Sequence, residues 1–310
     1  MQKILVVGST NIDFVISVEE MPKTGETILS KRYTRVPGGK GANQAYACGM
    51  LGGKAEFLTV IGNDGLGEIV MQNMRSAGVC IDRVETCEET GTGIAIITVN
   101  REGDNSIIVI SAANSYCDMD YLERNAAALE ACDILLVQLE TPIEAIYELI
   151  RRAHRLGKTV ILNPAPCPER IPDEILSLVQ LITPNETELQ KLTGCGLETE
   201  EALFAGGRAL LDKGVEQVLV TLGSKGAMLC TAHGYKLFDA YPVGTVDTTA
   251  AGDTFNAAIA VGLAEGAPLA NAIRFANAAS ALAVSRPGAQ TSVPRREEVE
   301  EFIGSIGEDA

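Results

Sequence analysis

Short apolar runs alternate along this chain with longer segments in which apolar residues recur every three or four positions. The short runs are rich in β-branched residues and bounded by Gly, Asp or Asn, as buried strands are, whereas the longer segments are typical of amphipathic helices. Such alternation indicates βαβ units around a parallel sheet. The predicted strands are 3–8, 55–60, 133–139, 158–163, 180–185 and 218–223, and the predicted helices are 42–51, 66–77, 143–156, 186–192, 200–213, 253–264, 269–284 and 297–303.

Two segments, 13–36 and 93–111, depart from this pattern. Both alternate as strands do, and the second reads GIAIITVN, then the turn-like REGDN, then SIIVIS, which indicates a hairpin without a crossover helix. We therefore predict an α/β fold whose main sheet carries a small projecting β-sheet. A small sheet with an exposed apolar face needs a partner, so we expect a homodimer joined through these strands.

Length and charge limit the candidate ligands. The chain has 310 residues and a formal net charge of −16. No linker or internal repeat divides it, so we expect one domain over residues 1–310, although the length would also allow two. The negative charge argues against nucleic acid and acidic membrane surfaces as partners, since both require clustered cations. We expect a small-molecule ligand, and an anionic one would need local positive groups.

The sequence favours a cytoplasmic chain that does not enter a membrane. The first apolar run is too short for a signal peptide, and no stretch reaches the roughly 18 apolar residues that would span a bilayer. The eight cysteines are scattered without a CxxC pair, which suits reduced thiols. Two histidines are too few for a His-rich metal site.

The first candidate site is the glycine-rich segment 36–49, which leads into a predicted helix. Three glycines stand close together, at Gly38, Gly39 and Gly41. They let the backbone approach a ligand closely and direct helix N-terminal amides at it. The segment is not a P-loop, because Gly41 follows Lys40 where Ser or Thr is required. A simple turn with a solvated lysine is the alternative, and the polar Asn43 inside the helix favours the binding site.

The second candidate site is segment 246–266, where small residues precede Asp253 at the start of a predicted helix. The free backbone N–H groups of Ala250, Ala251 and Gly252 can hold an oxyanion or a transferring phosphoryl group. Asp253 is either an ordinary acid at a helix N-terminus or a general base that accepts a proton from an attacking hydroxyl.

Two further segments suit a nucleotide and its metal. Asn185 and Glu188 are three residues apart at a helix start, where they can hold Mg²⁺ directly or through water, or can simply cap the helix. Segment 220–229 reads as strand, glycine turn and strand, which by itself is only a hairpin. The residues in it that suit phosphates or a base are Thr221, Gly223, Ser224 and Gly226.

Polar residues also follow two predicted strands. Asn11 and Asp13 come after the first strand, and Glu140 comes after the strand DILLVQL. In open α/β sheets, ligands bind beyond the carboxyl ends of the strands. Carboxylate and amide groups there suit the hydroxyls of a sugar, although each could also be a helix cap.

Seven segments of the chain, taken together, resemble one family. GGKGANQA, QLETP, LNPAP, TPNETE, TLGSKG, DTTAAGDTFNAA and GAQTSVP occur in the order seen in the ribokinase-like (phosphofructokinase-B) family of carbohydrate kinases. The resemblance runs nearly end to end. It implies a three-layer αβα sandwich with a mostly parallel central sheet and a β-sheet lid formed by about 13–36 and 93–111. It also implies ATP-dependent phosphorylation of a sugar hydroxymethyl group, Mg²⁺, activation by K⁺ and a homodimer through the lid.

The resemblance also assigns roles to individual positions. It implies that Asp253 is the catalytic base and that the backbone of Ala250, Ala251 and Gly252 is the anion hole. The implied sugar-binding residues are Asn11, Asp13, Gly39, Lys40, Gly41, Asn43, Glu140 and Asp253. The implied ATP-binding residues are Asn185, Thr221, Gly223, Ser224, Lys225, Gly226, Gly252 and Asn277. The implied metal positions are Asn185 and Glu188 for Mg²⁺, partly through water, and Asp247, Thr249, Ala283, Arg286, Gly288 and Ser292 for K⁺, largely through main-chain carbonyls.

One residue bears on which sugar is phosphorylated. Relatives that act on 2-deoxyribose tend to have an apolar residue where this chain has Asn11, and an amide there suits a 2-hydroxyl. The expected reaction is therefore phosphorylation of D-ribose at O5. The run SAANSYCD (111–118), with the bulky Tyr116, departs from the usual glycine-alanine-asparagine of the family and lies beside the lid.

Other readings of the site stay open. The acceptor could be another sugar or a nucleoside, namely 2-deoxyribose, fructose or pseudouridine, although a nucleoside needs an aromatic or apolar slot and the chain is only 5% aromatic. A non-catalytic sugar-binding protein on the same fold is the alternative from a different class.

Overall fold

An eight-stranded sheet forms the centre of the protein in a computed structural model, which describes residues 1–102 and 104–307. The strands of the chain are β1 Lys3–Val7, β2 Asn11–Ser17, β3 Arg32–Gly38, β4 Lys54–Leu58, β5 Val60–Gly62, β6 Glu85–Cys87, β7 Gly93–Val99, β8 Asn105–Ile110, β9 Ile134–Val137, β10 Thr159–Leu162, β11 Leu181–Ile182, β12 Gln217–Thr221, β13 Ala227–Thr231 and β14 Gly234–Phe238. The central sheet has the order β14-β13-β12-β11-β10-β9-β1-β4. Its strands from β12 to β4 are parallel, whereas β13 and β14 are antiparallel at one edge.

Helices cover both faces of this sheet. They are α1 Lys40–Met50, α2 Leu66–Ser76, α3 Met119–Arg124, α4 Ala126–Ala131, α5 Ile143–Arg155, α6 Asp173–Leu176, α7 Glu186–Thr193, α8 Glu200–Leu211, α9 Ala251–Ala264, α10 Leu269–Val284 and α11 Arg296–Gly307. In β1, Leu5 and Val7 face the core beneath α3 to α8, whereas Ile4 and Val6 face the core beneath α1, α2 and α9 to α11. Because both sheet faces are buried, the strands read as continuous apolar runs. The predicted three-layer αβα sandwich is confirmed.

The predicted elements agree with the observed ones apart from their ends. Helices α1 and α9 begin two residues earlier than predicted, at Lys40 and Ala251, so both glycine-containing motifs open directly into a helix. Strand β11 is only Leu181–Ile182, although the apolar pattern suggested 180–185. Among the described residues, no helix is long and apolar enough to cross a membrane.

The two segments that broke the pattern form a separate four-stranded sheet, which we call the lid sheet. Its order is β3-β2-β7-β8, with β2 and β7 parallel at the centre and antiparallel neighbours on either side. The edge strand β8 is exposed along its whole length. Part of the predicted turn 101–105, Gly103, lies outside the described residues.

Candidate active site

Two open clefts meet at the N-terminus of α9. The first, which we call the lid cleft, lies beneath the lid sheet and has a volume of about 1000 Å³. The second, the hairpin cleft, lies beside the β12–β13 hairpin and has a volume of about 790 Å³. Ala250 and Asp253 line the lid cleft, whereas Ala251 and Gly252 line the hairpin cleft. The first turn of α9 therefore separates two ligand-sized spaces.

The structure brings most of the predicted sugar-binding residues together. The members of that set that line the lid cleft are Asn11, Asp13, Gly39, Lys40, Asn43, Glu140 and Asp253. Gly41 is the exception, because it is buried against the turn after β1. A Cβ at Gly41 would lie only 2.5 Å from the backbone of Gly8. The lack of a side chain at Gly41 lets α1 pack closely against this turn, and its place in the sugar pocket stays a prediction.

Gly39 shapes the start of α1. Its φ of 89° lies in the left-handed region, and a Cβ would approach the Asn11 nitrogen to 2.7 Å. The chain can therefore turn sharply into the helix that begins at Lys40. Glu140 is held at this turn, because its Oε2 accepts hydrogen bonds from the Lys40 backbone amide and from the Ser9 hydroxyl.

Both carboxylate oxygens of Asp253 accept hydrogen bonds from α1. Asn43 Nδ2 donates to Oδ2 and Gln44 Nε2 donates to Oδ1, each at 3.0 Å. The sequence pointed to Asn43 but not to Gln44. Because adjacent helix residues point about 100° apart, nothing in the local pattern shows that both reach the same carboxylate.

The orientation of Asn11 is set by Asn114, a buried residue that the sequence analysis did not select. Asn114 Nδ2 donates to Asn11 Oδ1 at 2.8 Å, and Asn114 Oδ1 accepts from the Thr10 amide at 2.8 Å. The bond from Asn114 fixes the Asn11 oxygen as the acceptor of that pair, so the Asn11 NH₂ group can donate to a ligand. This assignment gives Asn11 the character of a donor towards the lid cleft.

Lys40 lies among four carboxyl groups. Burial alone would lower the pKa of Lys40, but the charges of Asp253, Glu140, Glu188 and Asp13 outweigh it and raise that pKa above its ordinary value. The pKa of Asp13 rises to about 7, first through burial and then through repulsion from Glu140 and Asp253, with Lys40 acting in the opposite direction. This end of the lid cleft is therefore a concentrated charge cluster.

The hairpin cleft collects the predicted nucleotide-binding residues. Those that line it are Asn185, Thr221, Gly223, Ser224, Gly226, Gly252 and Asn277. Asn277 Nδ2 donates to the carbonyls of Phe238 and Asp239, which ties α10 to the end of β14. Lys225 is not among the lining residues. Its exposed ammonium lies 3.9 Å from Oε1 of Glu186, which does line the cleft, and the contact of Lys225 with ATP stays a prediction.

Asn185 and Glu188 form a capping box at the start of α7. Asn185 Oδ1 accepts from the Glu188 amide at 2.8 Å, and Glu188 Oε2 accepts from the Asn185 amide at 2.9 Å. The alternative reading of these residues as a helix cap is thus realised. Burial raises the pKa of Glu188, and Asp253 adds to this. Glu188 Oε1 takes no part in the cap and stays available to a cation.

The two loops predicted to hold a monovalent cation lie side by side. Asp247 accepts hydrogen bonds from the amide and hydroxyl of Thr249 and from the Gly288 amide. These bonds outweigh the effect of burial and lower the pKa of Asp247. The guanidinium of Arg286 is instead paired with Glu298 at 2.6 Å.

Other groups in these loops are partly engaged. The Ala283 carbonyl accepts from the Arg286 amide, and the Ser292 hydroxyl donates to the Ala289 carbonyl. Lone pairs on these oxygens remain for an ion. Among the described residues, no group of three or more His, Cys, Asp or Glu side chains is arranged to hold a metal.

Taken together, these groups suit transfer of a charged group between ligands in the two clefts. The first hydrogen bond within α9 runs from the Thr254 amide to the Ala250 carbonyl, so the amides of Gly252 and Asp253 precede it and can bind an anion. Within the predicted anion hole of Ala250, Ala251 and Gly252, the Ala251 amide already donates to the Thr248 carbonyl at 3.3 Å. Asp253 offers a carboxylate beside them. A hydroxyl in one cleft and a phosphate in the other would meet at this turn.

The chain belongs to the pfkB family of carbohydrate kinases, which it matches over residues 1–296. It is 40% identical to a ribokinase of Haemophilus influenzae over 96% of this chain and 97% of the relative. It is 34% identical to a deoxyribokinase of Salmonella typhi over 97% of this chain and 98% of the relative. A solved structure of Arabidopsis thaliana ribokinase, complexed with ribose and ATP, superposes with a TM-score of 0.92 at 35% identity and covers 97% of this chain and 98% of that one.

These similarities confirm two of the predictions made from the sequence. The fold is that of the carbohydrate kinases, and the chain is an enzyme of that class. The roles of individual residues rest on the geometry above.

Proposed function

We propose that this enzyme transfers the γ-phosphoryl group of ATP to O5 of D-ribose, giving D-ribose 5-phosphate and ADP. The position of Asp253 carries the proposal, because this carboxylate stands at the turn that divides two ligand-sized clefts. The names of the ribokinase relatives and the ribose and ATP in the Arabidopsis structure support the choice of substrates.

The lid cleft would bind the sugar. Donors and acceptors alternate around it, with the Asn11 amide, the Lys40 ammonium and the Asn43 amide among the carboxylates of Asp13 and Glu140. Such a set matches the hydroxyls of a pentose, each of which can donate and accept. The hairpin cleft would bind ATP, with its phosphates directed at the amides of Gly252 and Asp253.

In the transfer step, Asp253 accepts the proton of the ribose O5 hydroxyl. O5 forms its bond to the γ-phosphorus as the bond from that phosphorus to the leaving ADP oxygen breaks. The amides at the start of α9 stabilise the negative charge on the transferring group. The lid sheet covers the cleft and limits the access of water, which would otherwise compete with O5.

We also propose that Mg²⁺ accompanies ATP near Asn185 and Glu188. A carboxylate oxygen and an amide are suitable donors, and Mg²⁺ usually keeps several waters and takes substrate phosphates as further ligands. Glu188 Oε1, which the capping box leaves free, is the available protein ligand. Bound Mg²⁺ would neutralise phosphate charge during the reaction.

A monovalent cation, K⁺ by our proposal, would be held by the loops around Asp247 and Gly288. The backbone of Thr249, Ala283, Arg286 and Gly288 would supply most of its oxygen ligands, with Ser292 beside them. The Arg286 side chain, which is paired with Glu298, would not repel the ion. The positive charge of this ion, held next to the anion-binding turn, would strengthen the binding of the phosphate there.

The exposed apolar surface of the lid sheet supports a homodimer. Ile108 and Ile110 on β8 are 60% and 45% exposed, and Tyr33 on β3 is 62% exposed; all three lie on the face of the lid sheet opposite the one that lines the lid cleft. We propose that a second copy covers these residues. Light scattering should show a dimer for the parent and a monomer for the variant carrying both Ile108→Lys and Ile110→Lys; a monomeric parent would refute the proposal.

We place the enzyme in the cytoplasm, on the basis of its cysteines. All eight are free thiols, and five of them are buried. A disulfide found by mass spectrometry in the protein isolated from its own cell would contradict this placement.

ADP release measured with a panel of acceptors tests the proposed reaction. D-ribose, 2-deoxyribose, fructose and pseudouridine should be compared with and without K⁺ and Mg²⁺. We expect the highest kcat/KM with D-ribose and strong dependence on both cations. Preference for 2-deoxyribose, the activity named for the Salmonella relative, would overturn the ribose assignment but keep the class of enzyme. No turnover with any acceptor would favour a sugar-binding protein.

A further inference from the structure

A buried glutamine, Gln44, lies beside the proposed base Asp253 and is hydrogen-bonded to it. Gln44 lies in α1, has no exposed surface, and donates through Nε2 both to Asp253 Oδ1 at 3.0 Å and to Asn163 Oδ1 at 3.1 Å. Gln44 Oε1 in turn accepts a hydrogen bond from Gln138 Nε2. The partners therefore determine which end of the amide faces the carboxylate.

These partners belong to a polar layer beneath the two clefts. Gln138, Asn163 and Thr183 are each the first residue after a strand, namely β9, β10 and β11. Because these three strands are adjacent and parallel, their ends lie side by side. The Asn163 amide donates to the Thr183 carbonyl at 3.3 Å, which links the layer across the strands.

The same layer reaches the anion-binding turn. The Thr183 hydroxyl donates to Asn256 Oδ1 at 2.6 Å, and Asn256 Nδ2 donates to the Gly252 carbonyl at 2.9 Å. One connected set of buried hydrogen bonds thus runs from the proposed base to the backbone of the proposed anion hole. Such networks rigidify a site when their members are paired, and Gln138 Oε1 is the atom of this set for which the described residues supply no partner.

We propose that Gln44 is a positioning residue that fixes the Asp253 carboxylate for proton transfer, and that Gln138 acts through Gln44 by holding its amide in the productive orientation. The inference rests on the proposed role of Asp253 as general base. With both oxygens bonded to α1, the carboxylate cannot rotate freely, and reversal of the Gln44 amide would set two oxygens against each other.

The surrounding charges explain why the carboxylate needs such support. Asp13 from β2, Glu140 after β9 and Glu188 from α7 repel its negative charge, and Lys40 from α1 is the cation that opposes them. A hydrogen bond donated to a carboxylate favours its charged form. Loss of the Gln44 bond would remove one of the two donors that favour the charged carboxylate.

Gln44→Met tests the inference, since methionine is similar in size but cannot donate. We expect kcat to fall roughly tenfold to a hundredfold, as expected when a reacting group is slightly misplaced. The KM values for sugar and ATP should stay within about threefold, because Gln44 does not line either cleft. The acid limb of the kcat–pH profile should move to higher pH, which a general loss of stability would not cause.

Gln180→Met is the matched control. Gln180 is half-buried and accepts a hydrogen bond from the Val160 amide at 2.9 Å, at the opposite ends of the strands. Its loss should lower the unfolding temperature without changing the pH profile. Gln138→Met should lower kcat less than Gln44→Met, and it should add no further loss in the double variant, because Gln138 acts through Gln44.

Three results would overturn the inference: an unchanged kcat and pH profile in Gln44→Met, the same changes in Gln180→Met, or losses in Gln44→Met and Gln138→Met that multiply. If circular dichroism shows that Gln44→Met does not fold, the Gln138→Met variant alone tests the inference. An unaltered acid limb in the kcat–pH profile of Gln138→Met would then contradict the inference. Failure of the proposed function would be distinguishable, because it would appear in the parent enzyme as no turnover.

Discussion

Asp13 combines a buried carboxyl with two like-charged neighbours, and its raised pKa makes a prediction about stability. Since the pKa is about 7 in the folded protein and near 3.8 ordinarily, the folded state binds more protons between these values. Stability should therefore fall as the pH rises through this window. Asp13→Asn should increase the free energy of unfolding more at pH 8 than at pH 5, by at least about 1 kcal/mol.

Urea unfolding of the ligand-free parent and variant at the two pH values measures this difference. Asp82→Asn, an acidic residue outside the cluster, serves as the control and should give the same small change at both pH values. An Asp13→Asn effect that does not depend on pH would contradict the charge-cluster account.

Asn114 should act on sugar binding through Asn11. Asn114→Ala frees the Asn11 amide to reverse and leaves the buried Thr10 amide without its acceptor. We expect the KM for ribose to rise roughly tenfold, because a factor of this size corresponds to the loss of one hydrogen bond to a buried group. The KM for ATP should change little. Steady-state kinetics with each substrate varied in turn would measure it.

Asn125→Ala provides a matched control for that variant. Asn125 is also buried, but its amide donates to the Tyr121 carbonyl where α3 meets α4, and neither residue lines a cleft. Both variants should lose stability, and only Asn114→Ala should weaken ribose binding. Equal effects of the two on KM would show that Asn114 has only a structural role.

Individual site residues could be predicted from the sequence where they stand at a recognisable helix start or strand end. Asp253 and Asn43 stand at recognisable helix starts, and Glu140 follows a strand. Gln44 and Gln138 could not be predicted, because their pairing depends on how α1 packs over β9. The packing role of Gly41 could not be predicted either, because close packing and ligand approach both require glycine.

The short 3₁₀ turn after β8 begins in a strained conformation. Ala112, its first residue, has a φ of 44°, in the left-handed region that glycine adopts without cost. This is the segment in which the sequence departs from the glycine-alanine-asparagine run of the family. We predict that Ala112→Gly stabilises the protein by about 0.5 kcal/mol, because relief of strain exceeds the entropy lost by glycine on folding.

The neighbouring variant Ala113→Gly is the control for this change. Ala113 is fully buried and does not have a positive φ, so the same substitution there should destabilise the protein. Thermal unfolding of both variants gives the comparison. Destabilisation by Ala112→Gly of similar size would show that the turn is not strained.

Helix α7 begins with residues that have two proposed uses, and one substitution separates them. Glu188→Gln keeps an oxygen that can accept from the Asn185 amide, so the cap and the unfolding temperature should be preserved. The charge is lost, so the Mg²⁺ concentration for half-maximal activity should rise several-fold. Titration of activity with Mg²⁺ would test this, with Glu186→Gln as the control.

An unchanged Mg²⁺ requirement in Glu188→Gln would leave the residue with its capping role alone. Glu186 precedes it in the same turn and lines the hairpin cleft, so an equal effect of Glu186→Gln would show that general negative charge, rather than the position of Glu188, attracts the ion.

The long elements could be predicted because their apolar pattern is a direct consequence of burial. Helices α5 and α10 match their predicted spans to within a residue, since α5 packs one face against the sheet and α10 packs one face along α9. The short helices α3, α4 and α6 were not predicted, because four to six residues are too few to show a helical period. The parallel pairing of β2 with β7 depends on long-range topology that no local pattern specifies.

The whole molecule carries a net charge of −16 and yet is proposed to bind ATP. Its described surface therefore has to attract the nucleotide locally, through the start of α9, the Lys40 ammonium and the cations at Glu188 and Asp247. This arrangement explains why activity should depend strongly on Mg²⁺ and K⁺. Full activity in the absence of both would contradict the account.

The central claim is that Asp253 is the base in phosphoryl transfer to ribose, and turnover of Asp253→Asn tests it most directly. The amide cannot accept the O5 proton, so kcat should fall by roughly a hundredfold or more, while the unfolding temperature and ATP binding should change little. Asp212→Asn, on the exposed end of α8, should behave as the parent does. Ordinary turnover of ribose by Asp253→Asn would contradict the account.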